Sequence, residues 1–213
     1  MILKKLLLPL ILLTAFISFS QEWDPTVYKY GEQYPGYVID AKGKKIEGFI
    51  KYTNRYDLQN TVVFFTEKGN RKTKEKYKAK DLKEYKMADK LYKCINYSGG
   101  LLKKPIRGNL VIGEGCITRY VWYNNETTVV RKNPGESYED YMVRKYPSTS
   151  VYKNQNSGEV KTMQSFALGY AKKMSAFIKD NKDLAAKVKG KKKGYRMLAI
   201  EAIFDEYNEA CKQ

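Results

Sequence analysis

Residues 36–52 read GYVIDAKGKKIEGFIKY, in which two apolar runs flank the polar segment Ala41-Lys42-Gly43. Tyr, Val, Ile and Phe are typical of β-strands, and Gly43 can take the positive φ that a tight turn requires. The stretch therefore predicts a β-hairpin, and the sequence on its C-terminal side continues the same pattern.

From about residue 34 to residue 152, short runs rich in Tyr, Val, Ile, Phe and Thr alternate with Gly, Asn and Pro. This alternation predicts an antiparallel, strongly twisted sheet or a partly closed β-barrel. Beyond the hairpin, strands are expected at residues 61–66, 71–77, 82–87, 91–97, 116–123 and 128–132.

Toward the C-terminus the apolar period changes from strand-like to helical. One apolar stripe covers residues 160–178 and another covers residues 197–211, which predicts two longer amphipathic helices. Between them, Asp180 or Asn181 can cap a short helix that ends at Gly190. The fold class is therefore predicted to be α+β, with a C-terminal helical unit that packs on the sheet.

The N-terminus has the three-part layout of a secretory signal peptide. Lys4-Lys5 precede an apolar run over residues 6–17, and small residues lead to an expected cleavage site after Ser20. No second apolar run of about 20 residues follows, so no transmembrane span is expected in the mature chain. The expected divisions are a signal peptide (1–20), a lead-in (21–33), a β-rich domain (34–158) and a helical unit (159–213).

The 213 residues include 40 Lys and Arg, 23 Asp and Glu, three Cys and no His, which gives a formal charge of +17. Without histidine the chain cannot build a Ser-His-Asp or Cys-His pair, a His-bearing zinc site or a His-ligated haem. No P-loop, dinucleotide-binding or nucleophile-elbow motif occurs either. The sequence favours a protein that is not an enzyme, and it predicts no catalytic residue, cofactor or metal site.

The sharpest local pattern is five lysines at every second position over residues 72–80. On a β-strand this spacing places the ammonium groups on one face, about 6 to 7 Å apart, which suits a repeating polyanion. The alternative is a solvated edge strand whose lysines prevent pairing with another sheet. The five anion-binding candidates are Lys72, Lys74, Lys76, Lys78 and Lys80.

A second basic cluster lies before the last helix. Its lysines could bind an anion, or they could simply complement the negative C-terminal end of the short helix. The candidates in this cluster are Lys187, Lys189, Lys191, Lys192 and Lys193.

The three cysteines match no redox or zinc motif. Cys94 and Cys116 fall in two predicted strands and could form a disulfide if those strands are neighbours. Cys211 lies on the apolar stripe of the last helix, where a packed thiol or an intermolecular bridge is expected.

Several segments resemble a group of uncharacterised exported proteins of Bacteroidetes-type bacteria. The resemblance covers most of the mature chain and implies an envelope or secreted location, without any catalytic residue. It is carried by GYVI (36–39), Gly43, IEGFI (46–50), DLKEY (81–85), DLA (183–185), KGY (193–195) and EYN (206–208).

The function predicted is a non-enzymatic interaction module with a basic surface, located in the periplasm, at the outer membrane or outside the cell. Its partner would be an anionic envelope polymer, a membrane surface or an acidic protein, whereas export makes nucleic acid a poor candidate. One alternative is an envelope hydrolase that uses carboxylates, although the acidic row Glu201, Asp205 and Glu209 is interpreted as helix surface. Another is an assembly partner of an outer-membrane system, which would use an uncovered sheet edge.

Overall fold

A computed structural model describes residues 23, 27–96, 105–125 and 130–212. Within these residues the chain forms a ten-stranded antiparallel sheet that is not closed into a barrel, and helices complete its C-terminal part. The predicted α+β class is confirmed. Of the two predicted arrangements, a twisted sheet and a partly closed barrel, the structure has the open sheet. The expected signal peptide at residues 1–20 lies outside the described residues.

The elements follow one another with short connections. The strands are β1 (Gln33–Asp40), β2 (Lys45–Lys51), β3 (Thr61–Phe65), β4 (Lys74–Lys78), β5 (Leu82–Met87), β6 (Lys90–Ile95), β7 (Arg107–Gly113), β8 (Ile117–Tyr123), β9 (Ser148–Asn154) and β10 (Val160–Thr162). The helices are α1 (Arg55–Leu58), α2 (Tyr138–Lys145), α3 (Met163–Ala167), α4 (Tyr170–Phe177), α5 (Lys182–Lys189) and α6 (Ile200–Ala210). The order across the sheet is β10-β9-β8-β7-β6-β5-β1-β2-β3-β4, so β4 and β10 are its edges.

The predicted hairpin is formed by β1 and β2. Gly43 has φ +92, which the turn between these strands requires. Gly36 and Gly48 are cross-strand partners, and neither position has room for a side chain. A Cβ on Gly36 would lie 1.9 Å from the carbonyl oxygen of Lys86, and one on Gly48 would lie 2.3 Å from that of Phe65. Glycine at this pair is therefore a steric requirement of the sheet.

Both large apolar clusters lie on the same face of the sheet. The first contains Tyr123 of β8 and is covered by Trp23, α1 and α2. The second contains Ile117, six residues earlier on the same strand, and is covered by α3 to α6. Because side chains alternate along a strand, residues 117 and 123 point to the same side. The helices therefore cover one face, and the opposite face of β2, β3 and β4 consists mostly of solvent-exposed and half-buried residues, with Phe65 as a buried one.

The apolar stripe over residues 160–178, predicted to be one helix, is divided into three elements. Its first residues pair with β9 as β10, and α3 and α4 are then separated at Gly169, which has φ +73. A left-handed residue cannot continue an α-helix, so the helical period spans a break that the pattern alone does not reveal. Residues 130–132, expected to be in a strand, are irregular.

Cys94 and Cys116 do not form the disulfide that neighbouring strands would have allowed, because Cys116 bonds to Cys211 instead. Cys94 lies on β6 and Cys116 directly precedes β8, and β7 runs between these strands. Two strand spacings amount to about 9.5 Å, beyond the reach of a disulfide. The end of α6 passes close to the start of β8, with 6.4 Å between the Cα atoms of Cys116 and Cys211. Cys94 is a free thiol, and burial raises its pKa to about 12.

Candidate anion-binding surfaces

Only three of the five alternating lysines lie on a strand. Lys74, Lys76 and Lys78 belong to β4 and are exposed, whereas Lys72 and Lys80 lie in short 3₁₀ turns on either side. The two turns break the strand geometry, so the ladder of five ammonium groups is reduced to a row of three on the edge strand.

The residues between these lysines point to the covered face. Tyr77 packs edge-on against Phe64, and its hydroxyl donates a hydrogen bond to Glu75. Burial and this carboxylate raise the pKa of Tyr77 to about 12. The alternation of β4 therefore separates its one carboxylate from its three exposed lysines.

Further cations extend the row across the sheet. Lys51 of β2 and Lys76 of β4 are both register partners of Val63, so all three residues share a face. Beside them lies a cavity of about 580 Å³, whose lining includes Lys51, Phe65, Arg71 and Lys74 but no carboxylate. We call Lys51, Arg71, Lys74, Lys76 and Lys78 the basic patch.

The second lysine cluster is divided by the structure. Lys187 donates to Glu206 at 2.7 Å, and this hydrogen bond raises the pKa of Lys187. Lys189 and Lys191 line a groove between α4 and α5, and Lys192 and Lys193 are exposed in the segment that follows. One member of the predicted cluster is thus already paired within the protein.

The groove between α4 and α5, which we call the α4–α5 groove, has a volume of about 1060 Å³. Small and aromatic side chains form much of its lining, and no carboxylate is among its lining residues. The hydroxyl of Tyr170 is buried there without a hydrogen-bond partner among the described residues. Burial raises the pKa of Tyr170 to about 12. The six cations of the lining are Lys172, Lys179, Lys182, Lys189, Lys191 and Arg196.

The clusters predicted from the sequence do not include Lys172, Lys179 and Lys182. A signal exists for Lys182, because Lys182 and Lys189 are seven residues apart. Seven residues are close to two helical turns, so both lie on one face of α5. Lys179 follows the end of α4 at Phe177, and only the packing of α4 against α5 shows that Lys172 and Lys179 line the same groove.

The carboxylates that could support a hydrolase are engaged in structural contacts. Arg119 bridges two members of the acidic row on α6, with its guanidinium 2.8 Å from Glu201 and 3.0 Å from Asp205. The hydroxyl of Tyr152 also donates to Glu201, at 2.8 Å. This pairing agrees with the interpretation of the row as helix surface.

A cavity of about 550 Å³ near the opposite sheet face has two other carboxylates in its lining. Glu84 accepts a hydrogen bond from Tyr37 at 2.6 Å, and Glu114 forms an ion pair with Lys93 at 2.7 Å. Among the described residues, no group of three or more Asp, Glu and Cys side chains could hold a metal ion. The described residues thus offer two basic surfaces with unpaired cations, whereas Glu84 and Glu114 already have partners.

Comparison with known proteins finds no family model, no curated protein and no solved structure that matches this chain. The resemblance to exported proteins of Bacteroidetes-type bacteria stays a prediction. In the part of the chain that the structure describes, no helix is long and apolar enough to cross a membrane.

Proposed function

We propose that this protein is an exported, non-enzymatic binding module of the cell envelope that attaches to an anionic polymer through the basic patch. The proposal rests on the row of Lys74, Lys76 and Lys78 on one exposed face of β4. Lys51 and Arg71 continue this row. None of these five cations forms an ion pair with a carboxylate of the described residues.

The geometry of the row suits a repeating anion. Alternate residues of a strand stand about 6 to 7 Å apart, so successive ammonium groups can meet successive sulfate, phosphate or carboxylate groups of a polymer. Lysine is a compact charge without the fork that arginine offers, which favours charge-dependent binding over recognition of one group's shape. We therefore expect binding that weakens strongly as salt increases.

Two observations support export. The N-terminal sequence has the layout of a signal peptide, and Cys116 and Cys211 form a disulfide. Disulfides persist in the periplasm and outside the cell and are rare in the cytosol. An exported protein with a basic patch meets anionic envelope polymers directly.

β4 is also an edge strand of the sheet. An assembly partner could in principle pair one of its own strands with this edge. Exposed lysines on an edge strand oppose pairing with most other strands, because each addition would bring a new backbone beside three ammonium groups. The patch therefore favours polymer binding over strand addition.

The test is retention of the purified mature protein on immobilised heparin and on lipopolysaccharide, with elution by salt. The variant K74Q/K76Q/K78Q should elute at clearly lower salt than the wild type. The control K42Q/K44Q/K212Q removes the same net charge from exposed lysines outside the patch and should elute close to the wild type. Equal elution of the two variants would show a net-charge effect and contradict the patch.

A further inference from the structure

The α4–α5 groove combines a basic rim with an apolar floor, which is a different chemistry from that of the basic patch. We infer that this groove binds anionic phospholipid at a membrane surface, with the rim on the phosphate groups and the floor against the upper acyl chain. This site lies on other elements than the patch, and the inference goes beyond the polymer binding proposed above.

The lining of the groove carries positive charge and no negative charge. Its lining contains six cations and no carboxylate, and none of the six pairs with an acidic side chain of the described residues. Lys187, just outside the lining, is by contrast occupied by Glu206. A lysine or arginine near an anionic leaflet contributes about 1 kcal/mol of attraction, so the five lysines and one arginine form a strong electrostatic anchor.

The floor of the groove suits hydrocarbon. Four alanines, Ala171, Ala176, Ala185 and Ala186, line it between the two helices. The volume of about 1060 Å³ lies at the upper end of the range of about 300–1,000 Å³ found for small-molecule sites.

Two exposed leucines adjoin the lining in sequence. Leu168 immediately precedes Gly169 of the groove, and Leu198 follows two residues after Arg196. Their exposures of 82% and 103% are the largest of any large hydrophobic side chain among the described residues. Highly exposed leucines, beside lysines whose apolar stems can reach upward to phosphates, are the arrangement that attaches proteins to the membrane interface.

The leucines distinguish a membrane from an acidic peptide. A peptide held between α4 and α5 would cover the alanines and meet the lysines, but nothing in the groove would require Leu168 and Leu198 to be exposed beside it. A leaflet accommodates the alanines, the lysines and the exposed leucines together. The leucines enter the acyl region while the lysines stay at the level of the headgroups.

The test is sedimentation of the mature protein with vesicles of phosphatidylglycerol alone and of phosphatidylcholine alone. We expect binding to the first and little to the second. The variant L168S/L198S keeps every charge and should bind phosphatidylglycerol at least about tenfold more weakly, because each leucine loses its burial. The control V27S/V143S alters two half-exposed valines outside the groove lining and should bind like the wild type.

A second variant, K172Q/K179Q/K189Q, should bind about 100-fold more weakly at low salt. The inference would be overturned if L168S/L198S bound phosphatidylglycerol like the wild type, or if the wild type bound both vesicle types equally. Either result would overturn it even if K172Q/K179Q/K189Q bound more weakly. The inference would also be overturned if an acidic peptide displaced the protein fully from the vesicles and L168S/L198S bound as tightly as the wild type. That result would assign the groove to a peptide.

Variants of the two surfaces separate this inference from the proposed function. K74Q/K76Q/K78Q should keep vesicle binding while losing heparin retention, and L168S/L198S should do the reverse. Loss of vesicle binding in the β4 variant alone would place lipid contact at the basic patch and overturn the groove.

Discussion

The side-chain amide of Asn208 on α6 hydrogen-bonds to both backbone polar groups of Ile117 at the start of β8. Its Oδ1 accepts from the N–H of Ile117 at 2.7 Å, and its Nδ2 donates to the carbonyl at 3.0 Å. The approach is possible because residue 115 is glycine, where a Cβ would lie 2.6 Å from the Asn208 amide carbon. One side chain thus takes the place of a neighbouring strand and fixes α6 on the sheet.

The other end of β8 has the same arrangement. Gln59, which is fully buried after α1, accepts from the N–H of Tyr123 at 3.0 Å and donates to the carbonyl of the same residue. Two amide side chains therefore connect the helices of both apolar clusters to one strand. This fixes the C-terminal helices, and with them the α4–α5 groove, relative to the sheet.

Asn208→Ala should lower the free energy of unfolding by at least about 2 kcal/mol, because two buried backbone groups lose their partner. Urea denaturation followed by circular dichroism measures this. Asn125→Ala, at an exposed position, should stay within about 0.5 kcal/mol of the wild type. Similar stabilities of the two variants would mean that water or another group replaces the Asn208 amide.

Removal of the disulfide, in C116S/C211S, should cost about 2–4 kcal/mol of stability, since the bond closes a loop across a sequence separation of 95 residues. Adding reductant to the wild type or to C94S should give the same loss in urea denaturation, whereas C116S/C211S should be little affected by reductant. Alkylation of the denatured, unreduced protein should label one thiol per chain, that of Cys94. Three labelled thiols would contradict the disulfide.

Local patterns in the sequence predict the elements whose conformation is decided locally. The hairpin follows from Gly43 between two apolar runs, and α5 follows from Asn181, whose side chain accepts from the N–H of Leu184 at 3.1 Å. By contrast, β7 and β9 each pair with strands on both sides, and pairing partners leave no periodic trace in a single sequence. The partner of Cys116 likewise depends on where α6 packs.

For the candidate sites, too, local patterns predict some features and others depend on tertiary packing. The alternation of Lys74, Lys76 and Lys78 predicts one face because a strand forms there, and it fails at Lys72 and Lys80 because 3₁₀ turns replace the strand. The α4–α5 groove joins lysines from two helices, and a chain with 40 Lys and Arg offers no contrast by which sequence alone could select them.

Lys191→Gly should change stability and membrane binding in opposite directions. Lys191 has φ +52 directly after α5, where its N–H and that of Lys192 bond back to Val188 and Lys187. Glycine adopts this conformation without the steric cost of a side chain, so stability should rise by about 0.5–1 kcal/mol. The lost charge should weaken phosphatidylglycerol binding about fivefold.

Lys192→Gly is the matched control for this substitution. It removes the same charge at a neighbouring position that has no positive φ, so glycine should lower stability by a few tenths of a kcal/mol through the entropy of the unfolded chain. Equal changes in the thermal unfolding of both variants would show that the left-handed conformation of Lys191 carries no cost.

The buried tyrosines predict how the fold fails in alkali. Tyr85 and Tyr92 stack with 4.7 Å between ring centroids, and burial raises the pKa of each well above its usual value. Burial also raises the pKa of Tyr207 to about 12, helped by its hydrogen bond to Asp180. Tyrosines of the unfolded chain release their protons near pH 10. Stability should therefore be intact below about pH 10 and fall as pH rises toward 12.

Tyr92→Phe tests this alkaline loss at one residue. The Tyr92 hydroxyl is buried without a partner among the described residues, so its removal should leave stability at neutral pH unchanged or raise it by about 1 kcal/mol. Because phenylalanine has no proton to lose, the variant should also lose less stability per pH unit above pH 10. Urea denaturation at a series of pH values measures the slope, with tyrosinate absorbance recorded in parallel. Complete tyrosine ionisation near pH 10 with native circular dichroism would contradict the burial of these rings, since an ionised phenol cannot remain in an apolar core without a compensating charge.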